Sequence, residues 1–407
     1  MRKLFLCILT LFGLLRLPVF SEQKPLTLDE AVSSALKNHP QILRAQKEIE
    51  AAQARTLQLG AIPNPELVFS NEGIPFRSAG GERELSLGLR QLIEFPGKRT
   101  LRRALGQSAE GVSEANLERL KLLAVARVKK AYWKAVHSEM AVALLQSILE
   151  TLKEYQTMAA IRFQAGEVSS TDVLRGRLEE VRVRNEIIEM RRTLQEDKAA
   201  LWLEMGVQTP PSYPPLQEMS FTPFAKGLDD LRREVSERPS VRALRREVEL
   251  RQTSVELAKK SRYPDLGLGL FYPSLYSSGW GFEIGLTIPL RRQAFRGEIL
   301  EAEALREQGM ISLNSALRMI MIRAETSYAD VQAAAEQLKL IEASLLPDAA
   351  DLLSSGILNY QYGKIDSLNL FDIYRMHKQS RLEYLRALFN YNFFLAELEA
   401  AGEDLDI

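Results

Sequence analysis

The chain has 407 residues, with 53 Lys and Arg against 53 Asp and Glu, and this zero net charge argues against electrostatically driven binding to nucleic acid. At 46% hydrophobic and 26% charged, its composition is that of a folded protein. Three histidines (His39, His137, His377) and the single Cys7 are too few for a multi-ligand metal centre, a thiol enzyme or a disulfide framework.

In chain order, the basic Met1-Arg2-Lys3, the apolar run Leu4 to Leu15, the break at Pro18 and the small residue Ser21 predict a signal peptide over residues 1–21. Cys7 lies inside its apolar core, too early for a lipoprotein acceptor. No later stretch approaches the roughly eighteen apolar residues of a membrane-spanning helix.

The rest is written twice. Asn38-His39-Pro40 returns as Glu237-Arg238-Pro239, Pro65 as Pro264, Gly88 as Gly285, Tyr132 as Tyr328 and Gly166 as Gly363, at offsets close to about 198 residues. This predicts a first unit over 26–206, a proline-rich linker over 207–226 containing Thr209 to Pro215, a second unit over 227–402 and an acidic tail over 403–407.

Each unit reads as helix, two strands, very long helix, turn, helix. The first helix is expected from Thr27, an N-cap with Glu30 three residues on, to about Leu59, and its counterpart from about Leu228 to Arg262. Strands are expected at about 65–72 and 84–92, then at about 264–273 and 280–289. Helices from about Thr100 to Phe163 and from about Arg296 to Tyr360 would each be on the order of 90–100 Å long. Leu317, Ile320, Ala324, Ser327, Val331, Ala334, Leu338, Ile341 and Leu345 are spaced alternately by three and four, as are Ala124, Val128, Ala131, Ala135, Ser138, Val142, Leu145 and Leu149. Such heptad seams make the rods pack along one another.

The strands alternate. Leu85, Leu87 and Leu89 share one face against Ser86, Gly88 and Arg90; Leu266, Leu268, Leu270 and Tyr272 oppose Gly267 and Gly269; Trp280, Phe282, Ile284, Leu286 and Ile288 oppose Gly281, Glu283 and Gly285. At roughly nine or ten residues, this dyad fits either a strand between lipid and a wet lumen or a soluble sheet with one buried face. Phe76, Tyr272, Tyr276 and Trp280 fit an interfacial aromatic belt at one end. At the other, Lys98, Arg99, Arg102, Arg103, Arg291, Arg292 and Arg296 either meet anionic headgroups or form a solvated cluster at the helix starts. Four strands cannot close a membrane barrel, which needs about eight, and an open edge in lipid leaves backbone groups unpaired. Strands that span a membrane must therefore be pooled by several chains.

Export signal, duplicated unit, paired strands and giant helices together resemble the TolC-like outer membrane efflux proteins. The most specific local signal runs from Arg162-Phe163-Gln164-Ala165-Gly166 to Asp172-Val173-Leu174 and is similar to that family's helix–turn–helix at the periplasmic tip. Asn359 to Gly363, continuing to Leu370-Phe371-Asp372, is its partner in the second unit. Gln91 to Arg99 resembles the cobalt–zinc–cadmium and copper–silver branch.

The resemblance implies a mainly α fold with a small β part, in which a homotrimer shares a twelve-stranded outer-membrane β-barrel continued by a periplasmic α-helical barrel. It implies a passive exit duct of a tripartite efflux pump. The partners would be a periplasmic adaptor (membrane fusion) protein, a proton-driven inner-membrane transporter and outer-membrane lipid. Heavy-metal cations would be the cargo, with drugs or other small molecules as the alternative, and neither catalysis, a cofactor nor a bound metal is expected. Carried over by position, Asp372 and Asn369 would form the pore constriction, Asp172 and Tyr360 would hydrogen-bond across hairpins to close the tip, and Gly166 and Gly363 would supply the tip turns and the adaptor contact. Ile365 stands where some members have a basic partner, and Asp172 also reads as a helix cap after Ser169-Ser170-Thr171. From the residues alone, the rival is a soluble periplasmic coiled-coil or adaptor protein.

Overall fold

A computed structural model describes residues 24–72, 84–208, 212–272, 279–288 and 292–404. The signal-peptide region, Phe76, Tyr276, Arg291 and residues 209–211 of the linker lie outside them.

Each unit opens with a broken helix where a continuous one was expected. α1 (Leu28–Asn38) and α2 (Pro40–Leu59) meet at His39, and α5 (Leu228–Val235) and α6 (Pro239–Ser261) meet across residues 236–238. A proline at the first position of each second helix forces the residue before it out of the helical region, so His39 has ψ 125° and Arg238 ψ 145°. β1 (Glu66–Glu72) and β2 (Glu84–Ile93) follow α2, then α3 (Lys98–Gln164) and α4 (Ser170–Met205). At 67 residues α3 is about 100 Å long. In the second unit come β3 (Leu266–Tyr272), β4 (Gly281–Leu286) and α7 (Arg292–Leu340). A π-helical turn at Ile341–Leu345 then leads into α8 (Leu346–Gln361) and α9 (Ser367–Glu399). The π turn falls just before Pro347, whose ring and missing N–H a regular helix does not accommodate. No helix among the described residues is long and apolar enough to cross a membrane.

The four strands form one antiparallel sheet in chain order, with β2 pairing β3 to join the two units. Only β2 reaches ten residues; β1 and β3 have seven and β4 six. One face is apolar and uncovered: Leu67, Phe69, Leu87, Leu89, Leu270, Phe282 and Ile284 are all more than half exposed, Phe282 reaching 80%. The alternation slips once, placing Gln91 on this face, where its amide donates to the Pro63 carbonyl at 2.8 Å. At one end the Tyr272 and Trp280 rings meet edge to face at 5.4 Å.

Along the helices the heptad seams are the core: Val128, Ala135, Ser138, Val142 and Leu145 are buried in α3, and Ile320, Ala324, Val331, Ala334 and Leu338 in α7. The small residues let α3 pack closely against α2, α4, α6 and α9. The proline-rich linker is strapped down at mid-length. Leu26 N–H donates to the Pro215 carbonyl (2.9 Å) and Gln217 N–H to the Leu26 carbonyl (3.2 Å). The buried Tyr132 hydroxyl donates to Leu26 O at 2.8 Å and accepts from Gln217 N–H at 3.2 Å, while burial pushes its pKa up to about 12. Nor does Glu403 open a free acidic tail. It is fully buried, its carboxylate accepts from Ser240 N–H at the first turn of α6 (2.9 Å), and its carbonyl accepts from Arg119 (3.1 Å).

Where sheet meets rods, three members of the expected basic cluster are bonded within the chain. Lys98 Nζ donates to both Asp265 oxygens (2.8 and 2.9 Å) and to the Tyr263 carbonyl (2.8 Å). Asp265 also accepts from Phe95 N–H at 2.7 Å, and the Phe95 and Tyr263 rings stack at 4.5 Å. Arg102 pairs with Glu94 (2.6 Å) and Arg99 donates to the Gly60 carbonyl (2.8 Å), because these side chains lie at the start of α3 among loop carbonyls that need donors. Arg292 and Arg296 stay exposed, without an ion-pair partner among the described residues. Lys98→Ala leaves the Asp265 carboxylate without its counter-charge in a largely enclosed site, and is expected to destabilise the protein by about 3–5 kcal/mol. Thermal unfolding of the detergent-solubilised protein checks this.

Candidate functional site at the helical tip

The ends of the rods farthest from the sheet are two hairpins of like construction. α3 ends in a turn in which Glu167 N–H donates to the Arg162 carbonyl and Gly166 N–H to the Phe163 carbonyl, each at 3.0 Å. α8 ends the same way, with Lys364 N–H to Asn359 O (2.8 Å) and Gly363 N–H to Tyr360 O (3.0 Å). This double closure needs a left-handed residue, and Gly166 (φ 76°) and Gly363 (φ 71°) supply it. Open space surrounds the position of a Cβ on Gly166, so the backbone angle alone demands glycine there.

Asp172 bonds both within its own hairpin and to the second one. Its Oδ2 accepts from the Ser169 backbone N–H (3.1 Å) and hydroxyl (2.9 Å), capping α4. Its Oδ1 accepts from the hydroxyl of Ser367, the buried first residue of α9, and so ties one hairpin to the other. Burial works against the charged carboxylate, but the donors on Ser367 and Ser169 outweigh it and hold Asp172 below its ordinary value.

Tyr360 does not meet Asp172 through its hydroxyl. Its ring is buried against Tyr155 at 5.1 Å, and its hydroxyl, beside that of Tyr155, has no well-aligned hydrogen-bond partner among the described residues. Burial, and the neighbouring Tyr360, push the Tyr155 pKa well up, and burial raises Tyr374 to about 12. What ties Tyr360 across the hairpins is Arg162, which donates to its carbonyl at 2.7 Å and lies over its ring at 5.0 Å. Arg162 thus supplies a cation from the first hairpin, whereas Ile365 leaves none at the family position in the second. Its place in the tip motif was legible in the sequence; its partner was not.

Asp372 and Asn369 lie on the face of α9 turned away from the first hairpin, opposite the buried Leu370, Phe371 and Tyr374. Asp372 is half-exposed and bonded to Arg375 (2.9 Å), whose Nε is 3.4 Å from the buried Glu179 of α4. Lys378 adds a second α9–α4 pair with Glu186 at 2.8 Å. Sequence pattern did not single out Glu179, Glu186, Ser367, Arg375 or Lys378, because charges on long helices read as solvated faces. Among the described residues, no group of three or more His, Cys, Asp or Glu side chains is placed to hold a metal ion.

The model of the family described as outer membrane efflux protein matches residues 31–207, ending just after α4. The cobalt-zinc-cadmium resistance protein CzcC of Cupriavidus metallidurans is 25% identical over 384 residues, which are 92% of this chain and 90% of that protein. Among solved structures, CusC superposes with a TM-score of 0.79 at 17% identity, over 94% of this chain and 93% of that one. The MtrE outer membrane channel of Neisseria gonorrhoeae gives 0.77 at 18% identity, over 92% and 88%. Residues 31–207 thus match the outer membrane efflux protein family, and along nearly its whole length the chain is similar to export channels of the outer membrane.

Arg162→Ala is expected to raise the open probability of the tip in planar-bilayer recordings by about tenfold, equivalent to one charge-assisted hydrogen bond of about 1.5 kcal/mol. Tyr360→Phe, which removes a hydroxyl without a well-aligned partner, should change it little. Because the Asp172 pKa is depressed in the folded tip, its contribution is present above the ordinary carboxylate value and lost as pH falls through the lower one. The same recordings should therefore show a tip insensitive to pH from 7 to 5 that loosens only below about pH 4.

Proposed function

We propose that three copies of this chain close their sheets into one twelve-stranded barrel and continue it as a helical tunnel through the periplasm, forming the exit duct of a three-part pump. The observation that carries this reading is the sheet: one face is apolar and uncovered, and β1 and β4 each keep an unpaired edge among the described residues. Lipid covers such a face without cost, whereas the edges need strands from other copies. The duct itself is passive and not an enzyme. A proton-driven inner-membrane transporter supplies the work, and a periplasmic adaptor protein grips the exposed turns at Gly166 and Gly363. Asp372 and Asn369, on the outward face of α9, narrow the entrance, while Asp172 with Ser367 and Arg162 with the Tyr360 carbonyl hold each pair of hairpins together.

Heavy-metal cations are the cargo this reading favours, supported by the likeness along nearly the whole chain to a protein named for cobalt, zinc and cadmium resistance. Native mass spectrometry of the detergent-extracted protein is expected to give a trimer from the outer-membrane fraction, and a monomer in the soluble periplasm would sink the shared barrel. Deletion of the gene is expected to sensitise cells to cobalt, zinc or cadmium salts. Sensitivity to organic drugs alone would instead assign a small-molecule cargo.

A further inference from the structure

Beside the Lys98–Asp265 bond, the end of α6 and the start of α7 flank an open cleft of about 560 Å³. Three arginines line it: Arg262, which closes α6, and Arg292 and Arg296, one turn apart at the start of α7. Phe295, Ile299 and the half-exposed Leu300 give it an apolar wall. Among the described residues no carboxylate lines it. Arg262 donates to the Tyr263 hydroxyl at 3.1 Å, and Lys260 adds a further cation over the Tyr263 ring at 5.3 Å. Glu298, on the same turn of α7, is bonded instead to the Ser261 hydroxyl of α6 at 2.8 Å. Lys98, Arg99 and Arg102 find partners within the chain, whereas these like charges are gathered beside apolar surface without a counter-charge. Such an arrangement repels itself unless an anion joins it.

The direction in which the cleft opens follows from α7. The stripe of that helix bearing Phe295 and Ile299 continues at helical spacing through Met310 and Leu313 to Leu317. Leu313 and Leu317 pack on the cluster that contains Val235 of α5. An element laid across the inner side of a duct would block it, so α5 marks the outer side, and the cleft shares that side. Its level is set by the sheet. Leu286 and Ile288, both more than half exposed, end the apolar row of β4, and Arg292 follows four residues after Ile288.

We propose that this cleft holds the phosphate headgroup of an anionic phospholipid from the inner leaflet of the outer membrane, one for each copy of the chain. This rests on the reading of the sheet as a wall whose apolar face meets lipid. A guanidinium fork matches phosphate oxygens in pairs, and each basic residue near a membrane surface adds to the preference for anionic lipid. Phe295 and Ile299 keep water from part of the site, which strengthens the ion pairs. The acyl chains would lie along Leu286 and Ile288. A free phosphate would gain the ion pairs but not this apolar contact.

The test is native mass spectrometry of the detergent-extracted protein, titrated with phosphatidylglycerol, with phosphatidylethanolamine of the same acyl chains, and with inorganic phosphate. The wild-type trimer is expected to favour phosphatidylglycerol over phosphatidylethanolamine by about tenfold. Arg292→Gln combined with Arg296→Gln should remove that preference. Arg44→Gln, at an exposed position at the end of α2 remote from the sheet, should leave it intact. Equal retention of the two lipids by the wild type would overturn the site. An equal loss in Arg44→Gln would do so too, by reducing the effect to general charge attraction. Displacement of the lipid by millimolar phosphate would assign the cleft to a free anion instead. A double variant that no longer forms the trimer would assign it to contact between copies, again against the lipid. A wild-type monomer in the soluble fraction would sink the duct reading and the lipid site with it.

Discussion

In hydrocarbon no water is present to satisfy an unpaired peptide group, and each such group costs several kcal/mol. That cost governs the design of this molecule. Among the described residues its sheet has an apolar face fit for lipid and four strands, and β1 and β4 present edges without a partner strand. The duplicated unit follows the same rule inside the protomer: β2 of the first unit completes its pairing on β3 of the second. Beyond the sheet, the Lys98–Asp265 bond and the stacked Phe95 and Tyr263 fasten the start of α3 to the segment entering β3, so the two units act as one wall at the membrane boundary.

At the tip the forces are of another kind. The hairpins share an aromatic cluster of Tyr155, Tyr360, Phe371 and Tyr374, but the contacts that select their arrangement are few and polar: Asp172 to Ser367, Arg162 to the Tyr360 carbonyl, Arg375 to Glu179 and Lys378 to Glu186. A small number of partly solvated bonds joins the hairpins, whereas a continuous Ala-rich seam holds the rods above them.

Much of this was legible in the sequence because it rests on period and spacing. Alternation of two placed the strands, alternation of three and four placed the seams, and the 198-residue offset showed the duplication. What local pattern could not show was partnership. Lys98 and Arg102 read as a basic patch because nothing local pairs them with Asp265 and Glu94. Glu403 read as a tail because its partner, the N-terminus of α6, lies 163 residues upstream. At the tip, Asp172 caps α4 with one carboxylate oxygen and accepts from Ser367 with the other, a partner 195 residues away that local pattern could not name. Tyr360 is tied across the hairpins through its carbonyl, and its ring lies in the aromatic cluster.

The burial of Glu403 also bears on how the chain folds. Its carboxylate closes the first turn of α6, and its carbonyl receives Arg119 across 284 residues of sequence. Contacts of such long sequence separation carry a loop-closure entropy that has to be met before they are gained. Each repeat takes part of its finish from Glu403: α6 its terminal acceptor, and Arg119 of α3 a carbonyl in addition to the Asn116 side chain. A chain tied in this way commits its two repeats together rather than one after the other.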